Sequence, residues 1–577
     1  MKFLLVGINA KYIHSNPAIY SLQAYAGKEY REIIESAEYT INNRKEEILA
    51  DIYRRKPDII GFSCYIWNFD MIQDLLLEIP KILPDTDIWL GGPEVSFEGP
   101  EIFTDYPMLT GIMSGEGEGT FKELLAYYQG DSDKTLFQIE GLLLREGYTS
   151  KRKMLDMDEI PFLYENVKQL QHKIIYYESA RGCPFRCSYC LSSIDKTVRL
   201  RSIHKVKEEL QLFLNEKVPQ VKFIDRTFNC NHDHAISIWR YILENDNGVT
   251  NFHFEIAADI MTEEEIHLLR AMRPGLLQLE IGVQSTHQKT LQEINRYADT
   301  AHIAGVVEKL REKGNIHIHL DLIAGLPYED YDTFVNSFNE VYSMEPHQLQ
   351  LGFLKVLKGS PMAECAKKYG IVYQAKPPYE VLYTKWISYE EILKLKQIEE
   401  MVEIYYNSNQ FAQTLSVLAE KFKSPFDMFE TLAAYYEKMD YFLQAPARSY
   451  RYQILFAFAK EVDPKRGELY RELLTYDFYL RENAKSRPDF CRDLSDHYAR
   501  IREFYKKEEK VAAFLPDYSN YQTRQIMKMT HMEVFSYPVW EKDLTKVSQR
   551  REEPCLALFD YQIRNPLTRD AKVMIFF

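Results

Sequence analysis

Short apolar runs of four to eight residues recur through the first 355 residues, each separated from the next by an amphipathic helical segment. Strands that alternate with helices pair in parallel and cover their sheet with those helices, so this rhythm restricts the chain to α/β folds. The rhythm comes in two series. Residues 2–7, 58–64, 87–90 and 111–114 are strands of the first, with helices over 17–28, 45–55 and 70–83. Residues 174–180, 221–227, 251–257, 276–283, 316–323 and 348–353 are strands of the second. Between the series lie a hairpin over 139–148 and an acidic stretch over 156–161. Beyond them, 389–474 reads as long helices rich in Tyr and Phe, and 532–577 as short strands and turns. The expected domains are 1–130, a linker over 131–172, 173–360, and a mainly helical 361–577.

Side chains alternate across a strand, so each strand's two faces can be read separately. In 276–284, Leu277, Leu279, Ile281 and Val283 fall on one face, and Gln278, Glu280, Gly282 and Gln284 on the other. Phe252, Phe254 and Ile256 oppose His253 and Glu255 in the same way. Ile316, Ile318 and Leu320 oppose His317, His319 and Asp321. Parallel sheets are normally apolar on both faces. A polar inner face suits a partial (β/α)6 barrel that encloses a ligand. In the first series the unusual groups sit in turns after strands, where open α/β sheets bind ligands. These turns carry Asn9, Tyr12 and His14; Ser63 and Tyr65; Gly91, Gly92, Pro93 and Glu94; and Ser114, Gly115, Glu116 and Gly117.

Directly after the first strand of the second series stands Cys183-Pro-Phe-Arg-Cys187-Ser-Tyr-Cys190. Three thiolates within eight residues can hold three irons of a [4Fe–4S] cluster, leaving the fourth iron open to a substrate or cofactor. The alternative, a zinc loop, requires a fourth ligand, and no Cys or His pair is close in sequence. Cys64, Cys365, Cys491 and Cys555 are scattered singly, so a second cluster is not expected. Cys230 reads as a small buried thiol, His232 and His234 as capping or surface groups, and His317 and His319 as barrel filling.

Composition narrows the function classes. Hydrophobic residues are 46% and charged residues 27%, a globular balance that excludes disorder. No apolar run approaches the ~18 residues of a membrane span. Eight Cys in 577 residues are too few for a disulfide framework, so a cytoplasmic protein with reduced thiols is expected. Residues 1–150 carry 13 Lys and Arg against 24 Asp and Glu, a net −11 of the chain's −14. That balance argues against nucleic acid at the first domain.

The cysteine spacing, its place after the first of six strands, and Tyr189 before the last Cys resemble the radical S-adenosylmethionine (SAM) superfamily. The resemblance implies that SAM binds the open iron and is cleaved reductively to methionine and a 5′-deoxyadenosyl radical. Downstream positions resemble the SAM pocket of oxygen-independent coproporphyrinogen oxidase: Glu255 as an acidic SAM neighbour, Gln284 and Asp321 as ribose contacts, and Arg296 as a carboxylate contact. Tyr189, Glu280 and Ser285 belong to the same implied pocket. The family's Gly-Gly-Glu-like stretch is replaced by residues 223–228, where Asp225 is the implied partner of the SAM amino group.

The first domain resembles the flavodoxin-like (Rossmann-type) cobalamin-binding domain of cobalamin-dependent radical SAM proteins. The resemblance places cobalamin against Asn9, Tyr12, Ser63, Tyr65, Gly91, Gly92, Pro93, Glu94, Ser114, Gly115, Glu116 and Gly117. The glycines let a bulky ligand approach the backbone. The Asp-x-His-x-x-Gly loop that supplies a lower axial His in methionine synthase-like proteins is missing, and His14 is not expected on the cobalt. The implied activity is methylation of an unactivated carbon, using the adenosyl radical and methylcobalamin. The alternatives are a non-methylating radical cyclase or rearrangement enzyme and, from another class, a cobalamin-binding sensor. The implied partners are a small-molecule or peptide substrate and an electron donor such as flavodoxin or ferredoxin. Neither nucleic acid nor a membrane is expected.

Overall fold

The computed structural model describes residues 1–164, 167–170 and 172–576. Glu165, Asn166 and Gln171 of the expected linker, and Phe577, lie outside the described residues. The chain divides into two units. One comprises residues 1–318, 323–330 and 352–388, and the other 319–322, 331–351 and 389–577.

The larger unit opens with a seven-stranded sheet of β1 (Phe3–Asn9), β2 (Ile34–Thr40), β3 (Ile59–Ser63), β4 (Asp87–Gly91), β5 (Leu109–Met113), β6 (Leu142–Leu144) and β7 (Gly147–Tyr148). The strand order is β2-β1-β3-β4-β5-β6-β7. The first five strands are parallel, and β6 and β7 add antiparallel to the edge. The order 2-1-3-4-5 is that of flavodoxin-like sheets, with its switch point between β1 and β3. β1 serves both faces: Leu4, Val6 and Ile8 enter one core, and Phe3 and Leu5 the other. Such two-sided burial explains its unbroken apolar run. Helices Pro17–Ala26, Lys45–Arg55 and Phe69–Ile82 lie close to the expected ranges. β2 was not expected.

A second sheet follows, made of β8 (Ile175–Tyr177), β11 (Gln220–Phe223), β12 (Asn251–Ile256), β13 (Leu277–Gln284), β14 (His317–Ala324) and β15 (Gln348–Phe353), ordered β8-β11-β12-β13-β14-β15. Between β8 and β11 in sequence, β9 (Ala180–Arg181) and β10 (Arg199–Leu200) pair antiparallel around the cysteine loop. β8, β11, β12 and β13 are parallel neighbours, with Tyr176 beside Lys222, Lys222 beside His253, and Glu255 beside Glu280. On β13 the apolar set Leu277, Leu279, Ile281 and Val283 is buried, while Gln278, Glu280, Gly282 and Gln284 are half-buried. On β13 the alternation read from the sequence is the alternation of burial, whereas on β12 and β14 the polar-face His253 and His319 are buried as well.

The smaller unit is mainly helical, with helices such as Pro425–Lys438, Arg448–Val462 and Gly467–Arg481. A three-stranded antiparallel sheet closes the chain. The helices' aromatic residues form its core: Tyr405, Tyr436, Tyr452 and Tyr470 are fully buried, and the Tyr405 and Tyr436 hydroxyls meet at 2.6 Å. Among the described residues no helix is long and apolar enough to cross a membrane.

Candidate cofactor site

The first sheet and strands β8 and β11 of the second, all in the larger unit, turn their carboxyl ends to one cavity of about 520 Å³. Ser63, Tyr65, Gly91, Gly92, Pro93, Gly115, Glu116 and Gly117 line it from the first sheet, and Glu178, Arg181, Gly182, Ile224 and Arg226 from the second. Gly92 has φ +109, and a Cβ there would stand 2.5 Å from the Cys64 carbonyl oxygen. Only glycine allows this approach, which keeps the floor flat. The buried Ser63 Oγ forms no well-directed hydrogen bond, and its phenolic neighbour is Tyr65. A buried hydroxyl whose only neighbour is a poorly aligned phenol, beside bare glycine backbone, fits a large ligand with polar appendages.

Four expected cobalamin contacts, Asn9, Tyr12, Glu94 and Ser114, are not among the residues lining this cavity. The Asn9 amide donates to Glu38 at 2.8 Å and accepts from Asn16 at 3.0 Å. Tyr12 is 72% exposed. Burial pushes the Glu94 carboxyl pKa up, against the opposing pull of the Tyr379 hydroxyl and Lys358. Ser114 Oγ donates to the Ser96 carbonyl at 3.1 Å. His14 stands behind the cavity's Tyr176: its ring hydrogen-bonds and stacks on that residue, and burial lowers its pKa.

The cysteine loop is fixed at its start. Gly182 has φ +91, and a Cβ would meet the Thr197 carbonyl oxygen at 2.2 Å. Cys183 and Cys187 are buried, Cys190 is half-buried, and all three are free thiols. Among the described residues no three His, Cys, Asp or Glu side chains converge on a single-ion position. A cluster makes no such demand, since each thiolate takes a different iron. Ser188 anchors the loop, its N–H donating to the Ile294 carbonyl at 2.9 Å and its own carbonyl accepting from Met362 N–H at 2.8 Å.

Arg296 brings several expected SAM residues together. Its Nη1 lies 3.8 Å from Cys187 Sγ, its Nη2 donates to the Gly282 carbonyl, and its Nε has no partner. Gln284, at φ +72, ends β13 with a buried Oε1 that also has no partner. Burial pushes the Tyr189 hydroxyl pKa far up, against the opposing pull of Arg296. Glu255 and Glu280 share Lys222, at 3.5 and 3.2 Å, and His253 Nε2 is 2.9 Å from Glu280. Burial raises the Glu255 pKa, and Glu280 raises it further.

Three expected SAM contacts are engaged otherwise. Asp225 is buried, and both its oxygens accept from Ser179, from Oγ at 2.7 Å and from N–H at 3.1 Å. His234 Nε2 lies 3.1 Å from the same Ser179 Oγ, so it is a core group rather than a surface one. Ser285 donates to Glu329 at 2.5 Å. Asp321 lies in the smaller unit, 2.9 Å from His319 Nε2.

The sequence reading missed the charged wall between the two sheets. Arg181 donates to Glu118 at 2.6 Å and to Glu178 at 2.8 Å, and lies 3.5 Å from Glu116. Arg199 donates to the Leu155 carbonyl at 2.7 Å and to Glu116 at 3.2 Å. Burial raises the Glu118 pKa, but Arg181 outweighs it and leaves the carboxyl below its usual range. An Arg just before Gly182 and Cys183 was the available signal. Lys222 was another, alone between Val221 and Phe223 on the polar face.

Comparison with known proteins matches both sheets' domains to known families. Residues 4–125 match the B12 binding domain, residues 177–341 the Radical SAM superfamily, and residues 367–559 a family described as "Protein of unknown function (DUF4080)". The cobalamin-dependent radical SAM methyltransferase TokK of Streptomyces tokunonensis is 23% identical over 353 residues, 55% of this chain and 50% of that protein. The anaerobic magnesium-protoporphyrin IX monomethyl ester cyclase of Cereibacter sphaeroides is 22% identical over 55% of this chain and 54% of its own. The chain thus spans about half the length of the curated relatives it matches. Among solved structures, the cobalamin-dependent S-adenosylmethionine radical enzyme OxsB, with aqua-cobalamin and S-adenosylmethionine bound, shares the fold. Its TM-score is 0.54 at 15% identity, over 90% of this chain and 80% of that one. The Radical SAM domain takes a [4Fe–4S] cluster with SAM, and the B12 binding domain takes cobalamin. The chain is therefore a cobalamin-binding-domain-containing radical SAM protein.

Proposed function

We propose that this protein is a cobalamin-dependent radical SAM methyltransferase that methylates an unactivated carbon of a small-molecule or peptide substrate. The observation that carries the reading is the single cavity at which the carboxyl ends of the first sheet and of β8 and β11 meet. A radical centre and a methyl donor must reach the same substrate atom within contact distance, and a shared cavity meets that need. Bound SAM supplies the adenosyl radical, and cobalamin the methyl group. The chain's own residues hold these groups in place. Cys183, Cys187 and Cys190 carry the cluster. Arg296 and Gln284 offer the donor and acceptor left unsatisfied beside Cys187. The Arg181 and Arg199 network fixes the cluster loop against the turn at Glu116 and Glu118. A non-methylating radical cyclisation is the second reading, favoured by the relative named as a cyclase.

The test is an anaerobic incubation of reconstituted protein with SAM labelled at its methyl carbon, a one-electron reductant and a metabolite extract. The expected result is 5′-deoxyadenosine together with a product carrying the labelled methyl. A product altered in hydrogen count, with no label, would establish the cyclase-type reading instead.

A further inference from the structure

We propose that Arg226 anchors the anionic group, a carboxylate or a phosphate, of the substrate that enters the shared cavity. The inference rests on the reading of that cavity as the place where radical and methyl donor meet, and it narrows the substrate to a molecule carrying such an anion. Arg226 stands three residues past β11 and lines the cavity. Groups at the carboxyl ends of parallel barrel strands are the ones that reach ligands. Three neighbours fix its place. The next residue, Thr227, has its Oγ1 3.6 Å from Cys183 Sγ, so Arg226 borders the cysteine loop. Tyr65 lines the cavity from the first sheet, and Glu255 belongs to β12. Burial raises the pKa of the Tyr65 hydroxyl and of the Glu255 carboxyl, and Arg226 is among the groups that pull both back down, which a cation does only from nearby. One guanidinium thus neighbours the cluster loop, the floor of the cobalamin domain and an expected SAM contact.

The other charges of the cavity are matched. Its lining acids are Glu116, Glu118, Glu178, Asp195 and Glu209. Glu118 and Glu178 pair with Arg181, Glu116 with Arg181 and Arg199, Asp195 with Arg199, and Glu209 with Arg201. Glu255 is held by Lys222 at 3.5 Å. Arg226 differs: it is exposed, and among the described residues its guanidinium forms no hydrogen bond or ion pair. In open water this costs nothing. Once cofactors and substrate displace the water, a lone guanidinium is costly, and an anion brought by the ligand removes that cost. The guanidinium fork matches two oxygens of a carboxylate or phosphate at once. A neutral analogue would leave the cation desolvated and alone, so the same group selects against it. The SAM carboxylate already has Arg296, beside Cys187, and the amide arms of the cobalamin ring are neutral. The anion is therefore left to the substrate.

The experiment is anaerobic phenylglyoxal modification of the full-length protein loaded with cluster, SAM and cobalamin, with Arg226 read by peptide mass spectrometry. The probe is a metabolite extract split by anion exchange into a neutral and a retained fraction. Alkaline phosphatase treatment of the retained fraction separates phosphate monoesters, which lose their effect, from carboxylates, which keep it. Arg226 should stay reactive with the three cofactors bound and become protected by the retained fraction only. In a parallel assay of 5′-deoxyadenosine formation, Arg226→Gln should need about tenfold or more of the retained fraction to reach half its maximal rate, as for losing a hydrogen bond between charged groups. Its iron content, SAM affinity and cobalamin uptake should be unchanged. Arg226→Lys, which keeps the charge without the fork, should fall between the two. Protection by the cofactors alone, loss of SAM or cobalamin binding in Arg226→Gln, activity drawn from the neutral fraction, or an Arg226 left reactive by both fractions would each overturn the anchor. Protection by the retained fraction with 5′-deoxyadenosine formed but no methyl transferred would keep the anchor and overturn the methyltransferase reading instead.

Discussion

Arg181 donates to Glu118 across 2.6 Å, joining the residue two before the first cluster cysteine to the helix that opens after β5. Sixty-three residues separate them in sequence. Ser21 donates to the same Glu118 oxygen at 2.8 Å. The ion pair therefore links the two sheets at the wall of their common cavity.

Breaking that link leaves a buried carboxylate without its cation. Arg181→Ala should cost about 3 kcal/mol, as expected for removing one partner of a buried pair. It should also weaken cobalamin binding, because the turn keeps only Arg199 on Glu116 and Ser21 on Glu118. Urea unfolding followed by fluorescence, with cobalt analysis after gel filtration, checks both. Arg181→Lys should restore part of the stability.

Gly182 is a backbone requirement rather than a side-chain preference. Gly182→Ala must relieve a left-handed φ and a contact with the Thr197 carbonyl, costing about 2 kcal/mol or more within the cysteine loop. Iron per chain after anaerobic reconstitution should fall well below the wild-type value, while the far-ultraviolet circular dichroism is retained.

Arg296 and Gln284 should govern SAM affinity. Arg296→Ala should weaken SAM binding by about 1.5–3 kcal/mol, the range for a hydrogen bond to a charged group, or roughly 10- to 150-fold. Titration calorimetry on cluster-loaded protein measures it. Asp225→Asn should change SAM affinity little, because Asp225 is turned to Ser179.

Asp225 and His234 make opposite contributions to stability as pH changes. Burial pushes the Asp225 pKa up to about 7, so the folded chain keeps a proton that the unfolded chain loses near 3.9. Its contribution is present at low pH and falls between about pH 4 and pH 7. Burial pushes His234 down to about 4, so the unfolded chain takes a proton that the folded chain refuses. Its contribution rises with pH from about 4 to about 6.5. Asp225→Asn removes the falling part. The stability of that variant relative to wild type should then climb between pH 4.5 and 6.5, by up to about 1.4 kcal/mol per pH unit. Urea titrations across that range test the sign.

The sequence made the repetitive parts legible. Burial on alternate residues is visible along Leu277–Gln284, and thiol spacing is a local property of Cys183, Cys187 and Cys190. Long-range pairing was not legible. β2 went unseen because Ile34–Thr40 is an edge strand whose Glu35, Ser36 and Glu38 break both apolar faces. Asp225 looked like a ligand because it is the carboxylate in the stretch that replaces the family's Gly-Gly-Glu-like segment. Its capture by Ser179, 46 residues earlier, is settled only by the pairing of β8 with β11. Arg181 and Glu118 escaped for the same reason.

The central claim is that cobalt and cluster face one cavity. Electron paramagnetic resonance of the protein carrying both cob(II)alamin and the reduced cluster tests it most directly. The comparison is the triple variant Cys183→Ala, Cys187→Ala and Cys190→Ala, loaded with cob(II)alamin alone. The account predicts that the reduced cluster broadens the cobalt signal and speeds its relaxation. A cobalt signal identical in the two proteins, with the cluster shown to be present and reduced in the first, would contradict it.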